Sequence, residues 1–396
     1  MNVNKRYIMW FLGVSWLFLC IAYYLPTSMY LSFVQLHHEA CPDVLGGMMS
    51  GTWKTRELTS QEQTEIDTFI KFCRKYLPDN YQRSDLKCGN LPYKKTGFRV
   101  WFRVLCNPNG PTPCCFKYRC ENKTVDECRG PKTFDLRNRV HAEYSKWQPT
   151  DKRCPVKIFD SQSACNLLKG STIYIFGDSL MRQFYTSLLL IIRGDLKTGA
   201  LKANTPKEKR KQCSGMYIYT HYECGGYIDF QPKVCNASLK LKFRYYTSVK
   251  SNQKALHDAL QLKGKKKSML VLGIGLWDYF NYSLIVNAYL DPIVQALVKP
   301  RNSSYNGWPK ILWSAAQSLG VFRYPHVKTV DNLHGKQFNV KMAAYLRNFN
   351  IPIFNAFNMT DGVTSIDGTH YGIGLNMWKA RIYLNYIQEL KDKGLW

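Results

Sequence analysis

Ile173-Tyr-Ile-Phe-Gly-Asp-Ser-Leu180 decides how this chain is read. Its apolar β-branched and aromatic residues make a short strand, Gly177 and Asp178 end it, and helical apolar spacing begins at Leu180. Ser179 is thereby set at a strand-to-helix turn. In an open parallel sheet the carboxyl ends of the strands face the ligand crevice, and a helix N-terminus there offers free N–H groups and a positive dipole end. A serine so placed is a candidate nucleophile. Gly177 permits the sharp turn, and Asp178 reads as a helix cap rather than a reactant.

Outward from this turn, from about Leu167, short β-rich runs alternate with amphipathic helical stretches, the pattern of a parallel sheet covered on both faces. Strands are expected at Ser171–Phe176, Leu239–Tyr246, Ser268–Ile274, Lys310–Ala315 and Ile351–Asn355. Helices are expected at Leu180–Ile192, Lys254–Gln261, Leu284–Leu297, Gly335–Asn348 and Leu375–Lys391. The fold class is therefore α/β, three layers with a parallel sheet in the middle. A long interruption, Lys197–Pro232, carries Cys213 and Cys224 and reads as an insertion near the rim of the sheet.

A nucleophilic serine needs a base, and Ser365-Ile-Asp-Gly-Thr-His-Tyr371 lies between the last strand and the last helix, again at the crevice rim. Asp367 and His370 are three apart, so one tight turn at Gly368 can hold the carboxylate against the imidazole. The bland alternative is a surface loop whose aspartate caps a helix.

A strand-end serine early in the α/β domain and a D-x-x-H loop before its terminal helix together resemble the SGNH, or GDSL, hydrolase superfamily. Cys41, Gly51 and Trp53, then Trp147-Gln-Pro149 and Cys154, then Gly177-Asp-Ser-Leu-Met-Arg-Gln183 look like its PC-esterase branch. Within that branch the pattern is most similar to plant trichome-birefringence-like polysaccharide O-acetyltransferases and to animal proteins of the NXPE and sialate O-acetyltransferase types. The resemblance implies Ser179 as nucleophile, His370 as general base, Asp367 as its orienter and an SGNH-type three-layer fold. It also implies an oxyanion hole made by a glycine N–H and an asparagine. No asparagine follows the central strand, where the sequence reads Leu272-Gly-Ile-Gly-Leu-Trp-Asp278, so Gly273, Gly275, Gly215, Gly225 or Arg182 is expected to substitute. Arg182 and Gln183, one turn after Ser179, are expected to face the crevice. Trp277, Tyr279 and Phe280 suit sugar stacking but read more readily as core, as do Trp313 and Trp378.

The rest of the chain sets the compartment. Ile8–Leu25 is an uncharged apolar run preceded by Lys5 and Arg6, long enough to span a bilayer with its N-terminus in the cytosol. Residues 1–7 read as a cytosolic tail, 8–25 as a signal anchor, 26–150 as a cysteine-rich lumenal segment and 151–396 as the catalytic domain. The chain has 14 cysteines. Outside the apolar run, where Cys20 lies, they have no zinc-type spacing, so disulfides are expected, a metal is not, and the odd number leaves at least one thiol unpaired or intermolecular. Cys114 and Cys115, being adjacent, should bond different partners. Sequons begin at Asn122, Asn236, Asn281, Asn302 and Asn358. A net charge of +27 attracts polyanions, and the lumenal topology excludes nucleic acid, leaving an acidic glycan or a membrane surface. The basic runs Lys207–Lys211 and Lys263–Lys267 fit either a substrate role or solvated loops.

The function expected is a lumenal serine-dependent O-acyltransferase, an O-acetyltransferase acting on glycans, at a Golgi or other secretory-pathway membrane with type II topology. It would need no tightly bound cofactor, only an acyl donor such as acetyl-CoA. A carbohydrate or lipid O-acyl esterase and an inactive glycan-binding protein are the alternatives.

Overall fold

Thr172–Gly177 is a central strand of a six-stranded sheet ordered Ile353–Phe354, Lys310–Ser314, Ser268–Gly273, Thr172–Gly177, Leu239–Tyr245 and Lys233–Val234. All pairings are parallel except that of the short edge strand Lys233–Val234. This computed structural model describes residues 41–73, 82–93, 100–130, 133–137, 139–298, 307–323 and 330–396. Residues 1–7, the apolar run Ile8–Leu25 with Cys20, and the sequon at Asn302 lie outside them. Among the described residues no helix is long and apolar enough to cross a membrane.

The alternation of side chains along the central strand builds two cores. Ile173 and Ile175 join the helices Ser179–Arg193 and Ile373–Asp392 on one face. Tyr174 and Phe176 join the helices Asn252–Leu260, Asp291–Leu297 and Asn332–Arg347 on the other. The result is the three-layer α/β/α arrangement, and every expected strand and helix is present within a few residues. The stretch Leu284–Leu297 departs from a single helix: Tyr282–Ile285 runs through a π-turn, Val286–Leu290, into Asp291–Leu297. Pro292 has no N–H to return to the preceding turn, and the Ala288 carbonyl that it would have met accepts from Asn252 Nδ2 instead, at 2.9 Å.

The N-terminal cysteine-rich segment is sewn onto this domain. Cys41 is disulfide-bonded to Cys154, and Gly51–Lys54 pairs antiparallel with Lys146–Pro149. Trp53 packs edge-on against Trp147 at 5.3 Å. Each indole N–H finds a carbonyl, that of Trp53 at Met359 (2.9 Å) and that of Trp147 at Met48 (2.8 Å), as buried indoles require. The helix Ser60–Cys73 buries Ile66, Phe69 and Ile70.

Five further disulfides join Cys88–Cys115, Cys106–Cys120, Cys114–Cys128, Cys165–Cys235 and Cys213–Cys224. Cys114 and Cys115 do take different partners. The sulfurs of Cys88, Cys106 and Cys115 crowd together, but all three are oxidised and offer a metal no thiolate.

Candidate active site

Ser179 opens the 15-residue helix Ser179–Arg193 directly after the central strand. Asp178 caps that helix, its carboxylate accepting the Leu180 N–H at 2.9 Å. Gly177 is forced by contact: a β-carbon there would lie 2.3 Å from the carbonyl oxygen of Gly273 on the neighbouring strand and 2.4 Å from Met181. Ser179 is 5% exposed.

The loop Ser365–Tyr371 brings the base to it. His370 Nε2 stands 2.6 Å from Ser179 Oγ, and His370 Nδ1 stands 2.7 Å from Asp367 Oδ2. The other carboxylate oxygen, Oδ1, accepts the backbone N–H groups of Thr369 and His370, both at 2.9 Å. Asp367 thus holds the imidazole and shapes its own turn. With Nδ1–H donated to Asp367, Nε2 presents its lone pair to the serine hydroxyl. Burial pushes the Asp367 carboxyl up, but the adjoining imidazole and these hydrogen bonds outweigh it and hold the group down at about 2. It stays ionised at any pH at which the imidazole can act as a base.

Backbone geometry fixes the loop. Gly368 has φ +87° and packs where a β-carbon would meet Arg323 N at 1.8 Å, so only glycine fits. Its N–H donates to Ser365 Oγ (3.0 Å), and its carbonyl accepts from Gly320 N–H (3.0 Å). Arg323 donates to Thr369 Oγ1 at 2.7 Å. Gly368→Ala is therefore expected to lower serine reactivity roughly a hundredfold, the cost of an ångström-scale displacement of the base. Rates of phosphonate modification at Ser179 check this.

Two side chains pin the loop from below. Gln183 Oε1 accepts the Tyr371 N–H at 3.3 Å, while its Nε2 donates to the Tyr219 carbonyl at 3.3 Å. Asn376 donates to the carbonyls of Tyr371 (3.0 Å) and Gly372 (2.9 Å). Gln183 is thus buried behind the loop, which corrects the expectation that it faces the crevice. It lies one turn deeper than Ser179 on the same helix face, where Tyr371 has already closed over it. Sequence reasoning missed Asn376 and Arg323 altogether, because neither belongs to a motif.

The other sequence candidates divide. Arg182 is buried beside Asp178, and its Nε and one Nη have no hydrogen-bond partner among the described residues; burial lowers its pKa. The Gly215 N–H is spent on the Lys197 carbonyl at 3.0 Å, which removes it as an oxyanion donor. Gly225 lies in the 3-10 turn Gly225–Tyr227, within the disulfide-closed insertion. Gly273 ends the strand beside Gly177, and Gly275, φ +153°, begins the turn Leu276–Asp278. Trp277 and Tyr279 are 59% and 57% exposed, contrary to a core role, while Phe280 packs on Phe338. Trp313 and Trp378 are buried.

A small cavity of about 30 Å³ is lined by Asp178, Leu180, Met181, Gly273, Ile274 and Ser314 among others. That is close to the share of one water molecule in the liquid. A larger cavity, about 700 Å³, is lined by Ile192, Arg193, Lys233 and Asn236. It sits at the far end of the nucleophile helix, some ~20 Å from Ser179 at 1.5 Å per residue, and plays no part in the serine chemistry. Lys263–Lys267 is exposed just before the strand Ser268–Gly273, hence at the end of the sheet opposite Ser179. Lys207–Gln212 is a short helix with no buried residue. Both runs read as solvated. Asn122, Asn236, Asn281 and Asn358 are exposed.

No protein-family model matches the chain, and neither does any curated protein. Among solved structures it is similar to a member of the lipolytic protein G-D-S-L family from Veillonella parvula, with 12% identity and a TM-score of 0.32, covering 56% of this chain and 100% of that one. It is also similar to the inhibitor-bound aryl esterase of M. Smegmatis, with 12% identity and a TM-score of 0.34, covering 56% and 99%. At this degree of likeness neither bears on what the chain does, which is argued from the geometry above.

Proposed function

We propose that this chain is a serine-dependent O-acyltransferase that moves a short acyl group, such as acetyl, onto a glycan hydroxyl. The observation that carries the reading is the unbroken relay from Asp367 through His370 to Ser179, with separations of 2.7 and 2.6 Å. In the first half-reaction Ser179 Oγ gives its proton to His370 Nε2 and attacks the acyl carbonyl carbon of a donor such as acetyl-CoA; the leaving group departs with that proton. In the second, a sugar hydroxyl gives its proton to His370 and attacks the acyl-serine, and Ser179 Oγ leaves and recovers the proton. The Ser179 N–H, at the positive end of the helix dipole, is the donor proposed for the oxyanion.

Six disulfides and exposed sequons support a lumenal protein, and the apolar run Ile8–Leu25 supports type II anchoring in a Golgi or other secretory-pathway membrane. The net charge of +27 supports an acidic glycan as acceptor. Hydrolysis of a glycan or lipid O-acyl ester is the second reading. It is favoured by the partial exposure of His370, whose side chain is 18% accessible, so that water can reach the base. An intact relay argues against a pure glycan binder.

The test is to give the purified protein acetyl-CoA or an activated acetyl ester together with a mixture of acidic and neutral glycans, and to analyse the products by mass spectrometry. O-acetylated glycan is the expected product. Free acetate alone selects hydrolysis, and equal turnover by wild type and Ser179→Ala rejects both readings.

A further inference from the structure

The cysteine-rich segment reaches both ends of the loop that carries the base. That loop closes on itself where Ser365 bridges Tyr371, and the Ile366 N–H donates to the His370 carbonyl at 2.6 Å. At its entry, Val140 forms a parallel bridge with Val363. The Val140 N–H donates to the Gly362 carbonyl at 3.0 Å, and its carbonyl accepts the Thr364 N–H at 2.8 Å. The next residue, His141, places Nδ1 3.1 Å from Thr364 Oγ1. Thr364 directly precedes Ser365, whose Oγ accepts the Gly368 N–H at 3.0 Å. At the exit, the same stretch turns through Ala142–Tyr144, with the Tyr144 N–H donating to the His141 carbonyl at 3.0 Å. This turn packs on the start of the helix Ile373–Asp392: a β-carbon on Gly374 would lie 2.2 Å from Glu143 N, and one on Gly372 would lie 2.3 Å from Glu143 Oε1.

We propose that His141 is a positioning residue for the triad: it fixes Thr364 at the entry of the base-bearing loop, while the turn that follows it seats the exit, so that the cysteine-rich segment is part of the catalytic unit. The inference rests on the serine-enzyme reading above. A loop that must hold His370 against Ser179 to a fraction of an ångström needs both of its ends fixed, because a shift at either end is passed to the imidazole. The backbone bonds of Val140 hold only the main chain at the entry. The imidazole of His141 supplies the one hydrogen bond of the Thr364 hydroxyl among the described residues, and Thr364 is itself buried. Burial pushes the His141 imidazole down to about 4, with Arg139 adding to the fall and Asp67 opposing it. The ring is therefore neutral where the base works, and its contact with Thr364 joins two neutral groups. What it contributes is the place of one nitrogen atom, which the side chain of asparagine can also supply.

The experiment measures the rate of fluorophosphonate modification of Ser179 in the full chain at neutral pH, on protein shown by thermal melts to be folded at the assay temperature. His141→Ala is expected to slow the labelling about tenfold, part of what an ångström-scale displacement of the base costs, and His141→Asn to restore it to within about twofold of wild type. Thr364→Val removes the partner oxygen and keeps the shape; it should match His141→Ala, and the two together should cost little more than either alone. Should His141→Ala fail to fold, Thr364→Val carries the same test. A contact that serves stability alone lowers Tm and leaves the labelling rate of the folded protein unchanged, so wild-type rates in His141→Ala and Thr364→Val overturn the proposal whatever their melting temperatures. A His141→Asn protein as slow as His141→Ala also overturns it. A wild-type protein that takes no label at Ser179 instead rejects the serine-enzyme reading on which it stands.

Discussion

Ser179→Ala is expected to lower acyl turnover by about four to six orders of magnitude while leaving the melting temperature nearly unchanged. The hydroxyl at this position is the atom that both faces the imidazole at 2.6 Å and stands at the start of a long helix. Alanine keeps the helix and its Asp178 cap, because the cap bond runs to the Leu180 N–H, and it removes one oxygen atom from a 5% exposed site. The initial rate with an activated acetyl ester measures the loss. A variant within tenfold of wild type would mean that another group attacks the ester.

Asp367→Asn should cost about ten-thousandfold in kcat/KM with little change in fold. The wild-type carboxylate satisfies two sides at once, the imidazole through Oδ2 and two backbone N–H groups through Oδ1. An amide cannot, since it has one acceptor and one donor end. If its oxygen keeps the backbone N–H groups, its NH₂ meets Nδ1, which must then present a lone pair. The proton moves to Nε2, and the imidazole can no longer take one from Ser179. If the amide turns over, its NH₂ is driven against two N–H donors and the loop opens. Either way the base is lost, and Asp367→Asn with more than a tenth of wild-type activity would contradict the relay.

The layers were legible in the sequence because each rests on a local period. Tyr174 and Phe176 alternate with Ile173 and Ile175, and that alternation alone implies a strand buried on both faces. The Ser179 turn and the Asp367–His370 turn were legible for the same reason, as glycine and polar residues placed at the ends of apolar runs. What escaped depends on contacts between distant segments. Helix spacing from Ser179 alone turns Gln183 toward the crevice, whereas the loop that covers it lies 188 residues away. Their aromatic rings suggest core positions for Trp277 and Tyr279, yet the turn after Gly275 leaves both exposed. The tryptophans and cysteines that carried the resemblance at Trp53, Trp147, Cys41 and Cys154 hold the N-terminal segment to the rest of the chain.

The most direct measurement of the central claim is to stop the reaction of the wild-type protein with an activated acetyl ester in acid and map the acyl adduct by peptide mass spectrometry. One acetyl group on the peptide carrying Ser179, present in wild type and missing when His370 is replaced by alanine, is the predicted result. An adduct on any other side chain, or one on Ser179 that forms equally fast without His370, would contradict the account.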